Sequence, residues 1–156
     1  MILARVPMPK LKIPRDVRAT SRGIYIETHF QGVPFGATCW ISCAQAWPHT
    51  DCSTQWRGKL FLTLSVKSQH CACDDRLPYE MHVPPGTLFV INPMTRHWLM
   101  HDQYASTAKQ VPWIGLQWEV PRKRASQVAR DIVRTLGGEW RREMDKRYAA
   151  WRPTDE

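Results

Sequence analysis

Alternation of apolar and polar positions is clearest at residues 60–66, where every second residue is leucine or valine and threonine and serine lie between them. Successive side chains of a strand point to opposite faces, so this period of two predicts a β-strand with one more apolar face. Similar β-type runs, bounded by glycine and proline, cover residues 23–30, 37–46, 59–67, 79–83, 87–92, 97–101 and 111–120. Seven short runs of this kind predict a mostly β fold, either a sandwich or a jelly roll.

The period changes after Pro121. Apolar residues recur at helical spacing at positions 128, 132, 133 and 136, and the pair Gly137-Gly138 supplies a helix stop. A second helix is predicted over residues 139–151, ended by Pro153. We therefore expect one or two α-helices after the β region.

The 156 residues fit one domain, which the pattern divides into three segments. Residues 1–21 are rich in proline and basic residues, and Pro7, Pro9 and Pro14 interrupt regular structure, so an extended arm is expected there. Residues 22–121 are expected to form the jelly-roll core. Residues 122–156 are expected to form a basic helical segment packed on that core.

The formal net charge is +8, from 22 Lys and Arg against 14 Asp and Glu. This excess favours an anionic partner, either nucleic acid or a negatively charged small substrate. Ten basic residues follow position 121: Arg122, Lys123, Arg124, Arg130, Arg134, Arg141, Arg142, Lys146, Arg147 and Arg152. A solvated helix face is the simpler interpretation of this run, and a nucleic-acid surface is the alternative.

The N-terminal segment offers no uninterrupted apolar run of signal-peptide length, because basic residues and prolines break it. No stretch approaches the roughly 20 apolar residues that cross a bilayer. The five cysteines are an odd set, which favours reduced thiols. We expect a cytoplasmic protein without membrane association.

A histidine and an aspartate lie two positions apart in the segment Trp47-Pro48-His49-Thr50-Asp51. On an extended strand, residues two apart point to the same face, so His49 and Asp51 can reach one ion. The run from Pro84-Pro85-Gly86 to His97 is typical of a turn, a buried strand and a second turn, with His97, 46 residues after Asp51, opening the next strand. Two imidazoles and one carboxylate on one side of a metal leave its other positions open, the arrangement of non-haem Fe(II) oxygenases.

These motifs resemble the Fe(II)/2-oxoglutarate-dependent dioxygenases, whose double-stranded β-helix carries a His-x-Asp motif and a distal His. The run PPGTLFVINPMTRHWL is also similar to the second motif of the cupins, which share the jelly-roll architecture. The resemblance covers roughly residues 23–120. It implies that His49, Asp51 and His97 hold Fe(II), and that an unidentified substrate is hydroxylated while 2-oxoglutarate is converted to succinate and CO2.

The same resemblance implies a basic side chain that pairs with the far carboxylate of 2-oxoglutarate. Lys109 is the nearest candidate after His97, and Arg122 lies at the end of the following predicted strand. Arg57 and Lys59, on an earlier strand, stay open as alternatives. Arginine matches a carboxylate with two prongs and lysine acts as a point charge, so residue type does not choose among them.

Three other features have competing interpretations. The segment 70–75, His-Cys-Ala-Cys-Asp-Asp, could bind a soft metal, but a polar hairpin tip is favoured because no second ligand pair follows at zinc-finger spacing. His101 lies four residues beyond His97 and is expected on the same face, as a group supporting the metal ligands. Six tryptophans flank the predicted site in sequence and could stack a planar substrate: Trp40, Trp47, Trp56, Trp98, Trp113 and Trp118.

Two further functions remain open from the sequence alone. The first is a cupin-like binding module without turnover, which recognises nucleic acid or a protein through the basic C-terminal helices. The second keeps the metal site but holds zinc or manganese in a non-oxidative enzyme. The sequence does not decide the oligomeric state.

Overall fold

The fold was analysed in a computed structural model, which describes residues 1–51, 53–102 and 112–153. Within those ranges the strands are β1 (Ile2–Arg5), β2 (Glu27–His29), β3 (Cys39–Cys43), β4 (Ala46–His49), β5 (Lys59–Lys67), β6 (His70–Asp74), β7 (Met81–His82), β8 (Thr87–Ile91), β9 (His97–His101) and β10 (Trp113–Pro121). The helices are α1 (Arg15–Thr20), α2 (Arg122–Thr135) and α3 (Arg142–Trp151), with a short 3-10 helix at Thr54–Trp56.

The strands form two sheets, and every pairing between described strands is antiparallel. The larger sheet has the order β1-β8-β5-β10-β3-β2, and the smaller has the order β4-β9-β6-β7. From β3 to β10 the pairs are nested: β3 with β10, β4 with β9, β5 with β8, and β6 with β7. Nested pairs that alternate between two sheets arise when one long antiparallel hairpin folds over on itself. This topology is a jelly roll. The predicted fold class, with two C-terminal helices, is confirmed.

The larger sheet is buried on both faces. One face, with Phe61, Phe89 and Trp113, packs against the smaller sheet around an inner core. The other face carries the leucines of β5 and is covered by α2, α3 and the N-terminal segment. Because both faces are buried, β5 and β10 have long, mostly apolar sequences in which apolar and polar residues alternate only in part.

The first 21 residues differ from the expected extended arm. Ile2–Arg5 pairs with β8 at the edge of the larger sheet, and Arg15–Thr20 is a helix in which Val17 is fully buried. Pro7 and Pro9 lie between these elements, and Pro14 is the N-cap of α1, where a missing N–H costs no hydrogen bond. The prolines therefore separate two regular elements of the domain.

The segment at His70–Asp74 also differs from its prediction. It is strand β6, between β9 and β7, and all five of its residues are buried. The favoured interpretation as a polar hairpin tip was therefore wrong. This strand buries the polar residues His70 and Asp74 at its two ends, so the run of apolar residues that revealed the other strands was missing here.

Gly86 fixes the junction between the larger sheet and the N-terminal strand. Its φ is +88°, a left-handed conformation that side chains rarely adopt. Its N–H donates to the Ser65 carbonyl, and its own carbonyl accepts from the Val6 N–H, each at 2.8 Å. A Cβ added to Gly86 would overlap the Val6 carbonyl oxygen. Only glycine therefore fits this turn.

The C-terminal helices follow their predictions closely. α2 ends just before Gly137, whose φ of +77° turns the chain, and the Gly138 N–H donates to the Val133 carbonyl at 2.8 Å. α3 begins at Arg142, three residues after the predicted start. Trp151 is buried against the core at its end. None of the described helices is long and apolar enough to cross a bilayer.

Candidate metal centre

An irregularity in β4 turns His49 toward the interior. Ala46 and His49 pair with Leu99 and His97 of β9, so three steps on β4 match two on β9. Strict alternation would place residues 46 and 49 on opposite faces, and the extra residue of this bulge restores both to the inner face. Pro48 lies within the bulge on an edge strand, where its missing N–H removes no ladder bond.

Asp51 is held near β9 by the backbone. Its N–H donates to the Pro93 carbonyl at 2.8 Å. Pro93 belongs to a turn in which the Asn92 side chain accepts from the Met94 N–H at 3.1 Å. The turn therefore positions both Asp51 and His97, the residue that opens β9.

The structure brings His49, Asp51 and His97 together, as predicted. Asp51 Oδ1 lies 3.9 Å from His49 Nε2, and Asp51 Oδ2 lies 3.3 Å from His97 Nε2. The ring centroids of the two histidines are 4.4 Å apart. One donor atom from each residue lies within 4.8 Å of the other two, which is close enough to share one metal ion.

The hydrogen bonds of the two imidazoles set their tautomers. His49 Nδ1 lies 2.5 Å from the Trp47 carbonyl, and His97 Nδ1 lies 2.6 Å from the Thr95 carbonyl. A carbonyl oxygen only accepts, so each Nδ1 carries a proton and donates it. In the neutral rings, both Nε2 lone pairs then face the Asp51 carboxylate. Three electron-pair donors directed at one point, with each histidine fixed by a backbone carbonyl, fit a metal cation.

The three side chains line a cavity of about 190 Å³ between the two sheets. Their side chains are 30%, 32% and 12% exposed for His49, Asp51 and His97, so small molecules can reach one side of the group. The remaining lining is mainly apolar and includes Trp56, Trp98 and Trp113 from the predicted aromatic set. Trp40 and Trp118 instead belong to the core on the other face of the larger sheet.

A polar strip on β5 and β10 interrupts this apolar lining. Thr63 and Gln117 are cross-strand partners, and the Gln117 side-chain amide donates to Glu119 at 3.4 Å. All three residues line the cavity. Burial raises the pKa of Glu119, while the hydrogen bond from Gln117 and the charge of Lys59 oppose that shift. The sequence interpretation missed this strip, although the period of two places residues 113, 117 and 119 on one face.

None of the three described candidates for the 2-oxoglutarate carboxylate lines the cavity. Arg57 is exposed after the 3-10 helix, and Arg122 begins α2, where its N–H donates to the Gly58 carbonyl. Lys59 places its ammonium 5.8 Å from the centre of the ring of Trp56, a lining residue. Lys109 lies outside the described residues.

His101 is paired with another histidine. It lies opposite His70 in the β6–β9 ladder, and their ring centroids are 4.3 Å apart. His70 Nε2 donates to the Ala44 carbonyl at 2.7 Å, and Nδ1 accepts from the Gln69 N–H at 3.1 Å. This neutral tautomer lies in the barrel interior, on the same sheet as His97. A direct supporting contact between His101 and the metal ligands stays a prediction.

The burial of His70 predicts a stability that depends on pH. Its pKa is lowered from 6.5 to about 4, chiefly by burial, with a smaller contribution from His101 and an opposing one from the Ala44 carbonyl. The unfolded chain therefore binds more protons than the folded chain between these values. Stability is complete above about pH 6.5 and is lost as the pH falls toward about 4, by up to about 3 kcal/mol.

Urea unfolding of the metal-free protein across this pH range tests that dependence. His70→Gln is expected to reduce the slope of the free energy of unfolding against pH, because the titrating group is gone. An unchanged slope would show that His70 does not carry the effect.

Comparison with known proteins does not identify a family for this chain. No protein-family model matches the sequence, and no curated protein matches it. One similar solved structure is that of a Cupin 2 conserved barrel domain protein from Salinispora arenicola CNS-205, 14% identical, with a TM-score of 0.38. The match covers 81% of this chain and 99% of that one. The fold assignment here rests on the strand order.

Proposed function

We propose that this protein is an Fe(II)-dependent oxygenase that acts on a small, largely apolar substrate. The observation that carries the proposal is the arrangement of His49, Asp51 and His97. Two imidazole Nε2 atoms and a carboxylate face one point at the wall of a cavity between the sheets. Two histidines and one carboxylate, with open positions, form the ligand set that favours non-haem Fe(II).

Iron bound there would supply the activation of O2 for insertion into the substrate. The chain's own residues do the remaining work. His49 and His97 are oriented by the Trp47 and Thr95 carbonyls, so their lone pairs need no rearrangement when the metal enters. The aromatic lining surrounds the open side with apolar surface, which would limit side reactions of a reactive oxidant.

The lining indicates the polarity of the substrate. Glu119, Gln117, Thr63 and Thr28 are its polar groups on the larger sheet, and no described lysine or arginine lines the cavity. A neutral or cationic substrate with a hydrogen-bond donor fits this lining better than a dianion does. The cavity of about 190 Å³ limits the buried part of the substrate to a small group.

The use of 2-oxoglutarate stays a prediction from the sequence resemblance. The described lining offers no cation for its far carboxylate, so that role falls to Lys109 or requires Lys59 to turn toward the cavity. If neither serves, the substrate itself must bind the open side of the metal. These two forms of the proposal differ in whether turnover needs a keto acid.

Anaerobic titration with Fe(II) and then 2-oxoglutarate tests both forms. The expected result is tight Fe(II) binding that Asp51→Asn, a change of similar size, removes. A visible charge-transfer band on adding 2-oxoglutarate supports the keto-acid form, and its absence with bound iron supports direct substrate binding. Failure to bind Fe(II) would contradict the proposal.

If the protein does not bind Fe(II), a binding module becomes the better interpretation. The observation that favours it is the exposed basic surface of the C-terminal helices, formed by Lys123, Arg124, Arg134, Arg141, Arg142 and Lys146. Arg130 is instead engaged with Asp145 at 3.2 Å. Binding of an anionic partner by this surface would weaken steeply with salt.

A further inference from the structure

A second group of metal-binding side chains lies on the outer face of the smaller sheet. Cys71 and His82 are directly opposite each other in the β6–β7 pair, and Asp102 follows the last residue of β9. Their neighbours Ala72 and Met81 belong to the inner core. Because successive side chains alternate between faces, Cys71 and His82 point away from the cavity that holds the first site.

The distances among these three side chains suit a metal ion with tetrahedral coordination. Cys71 Sγ lies 3.6 Å from His82 Nδ1, and His82 Nδ1 lies 2.7 Å from Asp102 Oδ2. Zinc–sulfur and zinc–nitrogen bonds of about 2.3 and 2.05 Å, at a tetrahedral angle, separate the two atoms by about 3.6 Å. The carboxylate oxygen would move outward by roughly 0.7 Å as its hydrogen bond to His82 is replaced by a metal bond.

We propose that Cys71, His82 and Asp102 form a second metal site that takes a thiophilic divalent cation, Zn²⁺ above all. A thiolate, an imidazole and a carboxylate are all zinc ligands, and the thiolate disfavours the hard cations Mg²⁺ and Ca²⁺. The side chains of His82 and Asp102 are 55% and 19% exposed, so water can occupy the fourth position. The ion joins β6, β7 and the end of β9.

The local field supports a cation at this position. The pKa of Cys71 is raised to about 12, first by burial and then by the negative charges of Asp102 and Glu80. The same negative charges that disfavour a free thiolate stabilise a divalent cation, whose own charge then favours the thiolate. In sequence, the Cys71 segment lacked a second pair of ligands for a soft metal. In the structure, His82 of β7 and Asp102 after β9, which are distant in sequence, supply them.

Anaerobic titration with Co²⁺, a spectroscopic substitute for Zn²⁺, tests the site. The protein is used as wild type and as His49→Ala, which removes a ligand of the inner site. Both are expected to develop a thiolate-to-cobalt charge-transfer band that is displaced by Zn²⁺, and in His49→Ala, where only the outer group is complete, the band is expected to saturate at one equivalent. Cys71→Ser is expected to lose the band and to bind the ion roughly 100-fold more weakly or worse.

Cys73→Ser is the matched control, since Cys73 is a buried cysteine on the same strand face but outside the group. It should keep the band. If Cys71→Ser does not fold, His82→Ala can be used instead, because residue 82 is exposed. This variant is expected to bind Co²⁺ at least about tenfold more weakly than the wild type. No band in wild type, a band that survives Cys71→Ser, or an unchanged affinity in His82→Ala would overturn the proposal.

Discussion

His97→Ala is expected to abolish tight binding of Fe(II) while leaving the domain folded. His97 supplies one of three donor atoms and is the least exposed of the three ligands. Loss of a group that merely orients a metal ligand costs about 10- to 100-fold in affinity, so loss of the ligand itself should cost more than about 100-fold. Anaerobic equilibrium dialysis with Fe(II) measures the change, and turnover should fall with it.

The matched control is His29→Ala. His29 is also at a strand position, but its Nε2 is bonded to the Thr20 hydroxyl at 2.8 Å, away from the site. This variant should bind Fe(II) as the wild type does. Retained binding in His97→Ala, with the melting temperature of both variants unchanged, would contradict the assignment of the metal centre.

Gly86→Ala is expected to lower the free energy of unfolding by about 3 kcal/mol, the sum of roughly 1–2 kcal/mol for a left-handed alanine and 1–3 kcal/mol for overpacking. The new Cβ would overlap the Val6 carbonyl and press on the Met8 side chain. Relief requires moving the chain after β1, which breaks the hydrogen bond from Val6 to Gly86. Urea unfolding of the two proteins measures the difference.

Gly58→Ala separates the two causes. Gly58 also has a left-handed φ, +74°, but a Cβ there would meet no atom within 4 Å. This variant should lose only about 1–2 kcal/mol, the conformational part. Equal losses in the two variants would show that contact with the N-terminal segment does not matter.

The candidate metal ligands could be predicted from residue type and spacing. His49 and Asp51 are two apart, and His97 opens a strand after the Asn92-Pro93 turn, so the sequence indicates all three. What it does not name is how they meet. That depends on the pairing of His49 with His97 across β4 and β9, and on the backbone bond from Asp51 to Pro93.

Strands with a run of apolar side chains were easier to predict than a strand that buries polar ones. The bounds predicted for β5 and β9 agree with the structure, whereas β6 was missed because it buries the polar residues His70 and Asp74. β1 was missed because nearby prolines suggested irregular structure. In each case tertiary contacts, which a local pattern does not contain, decided the outcome.

The cofactor-binding residues were the least predictable part of the site. Proximity in sequence to His97 suggested Arg122, which does not line the cavity, and Lys109, which lies outside the described residues; cavity lining is set by which strands lie opposite each other. Gln117 and Glu119 reach the cavity because β10 pairs with β5 and faces the smaller sheet. A charged residue at a strand end, such as Arg122, instead enters the following helix.

The bulge in β4 makes the spacing between Ala46 and His49 a constraint on chain length. A substitution at Trp47 changes an exposed side chain, but deletion or insertion of a single residue there would exchange the two faces of the strand. His49 would then point to solvent, even though every ligand was still present in the sequence. Descendants of this chain can therefore vary in residue type at the bulge more freely than in residue number.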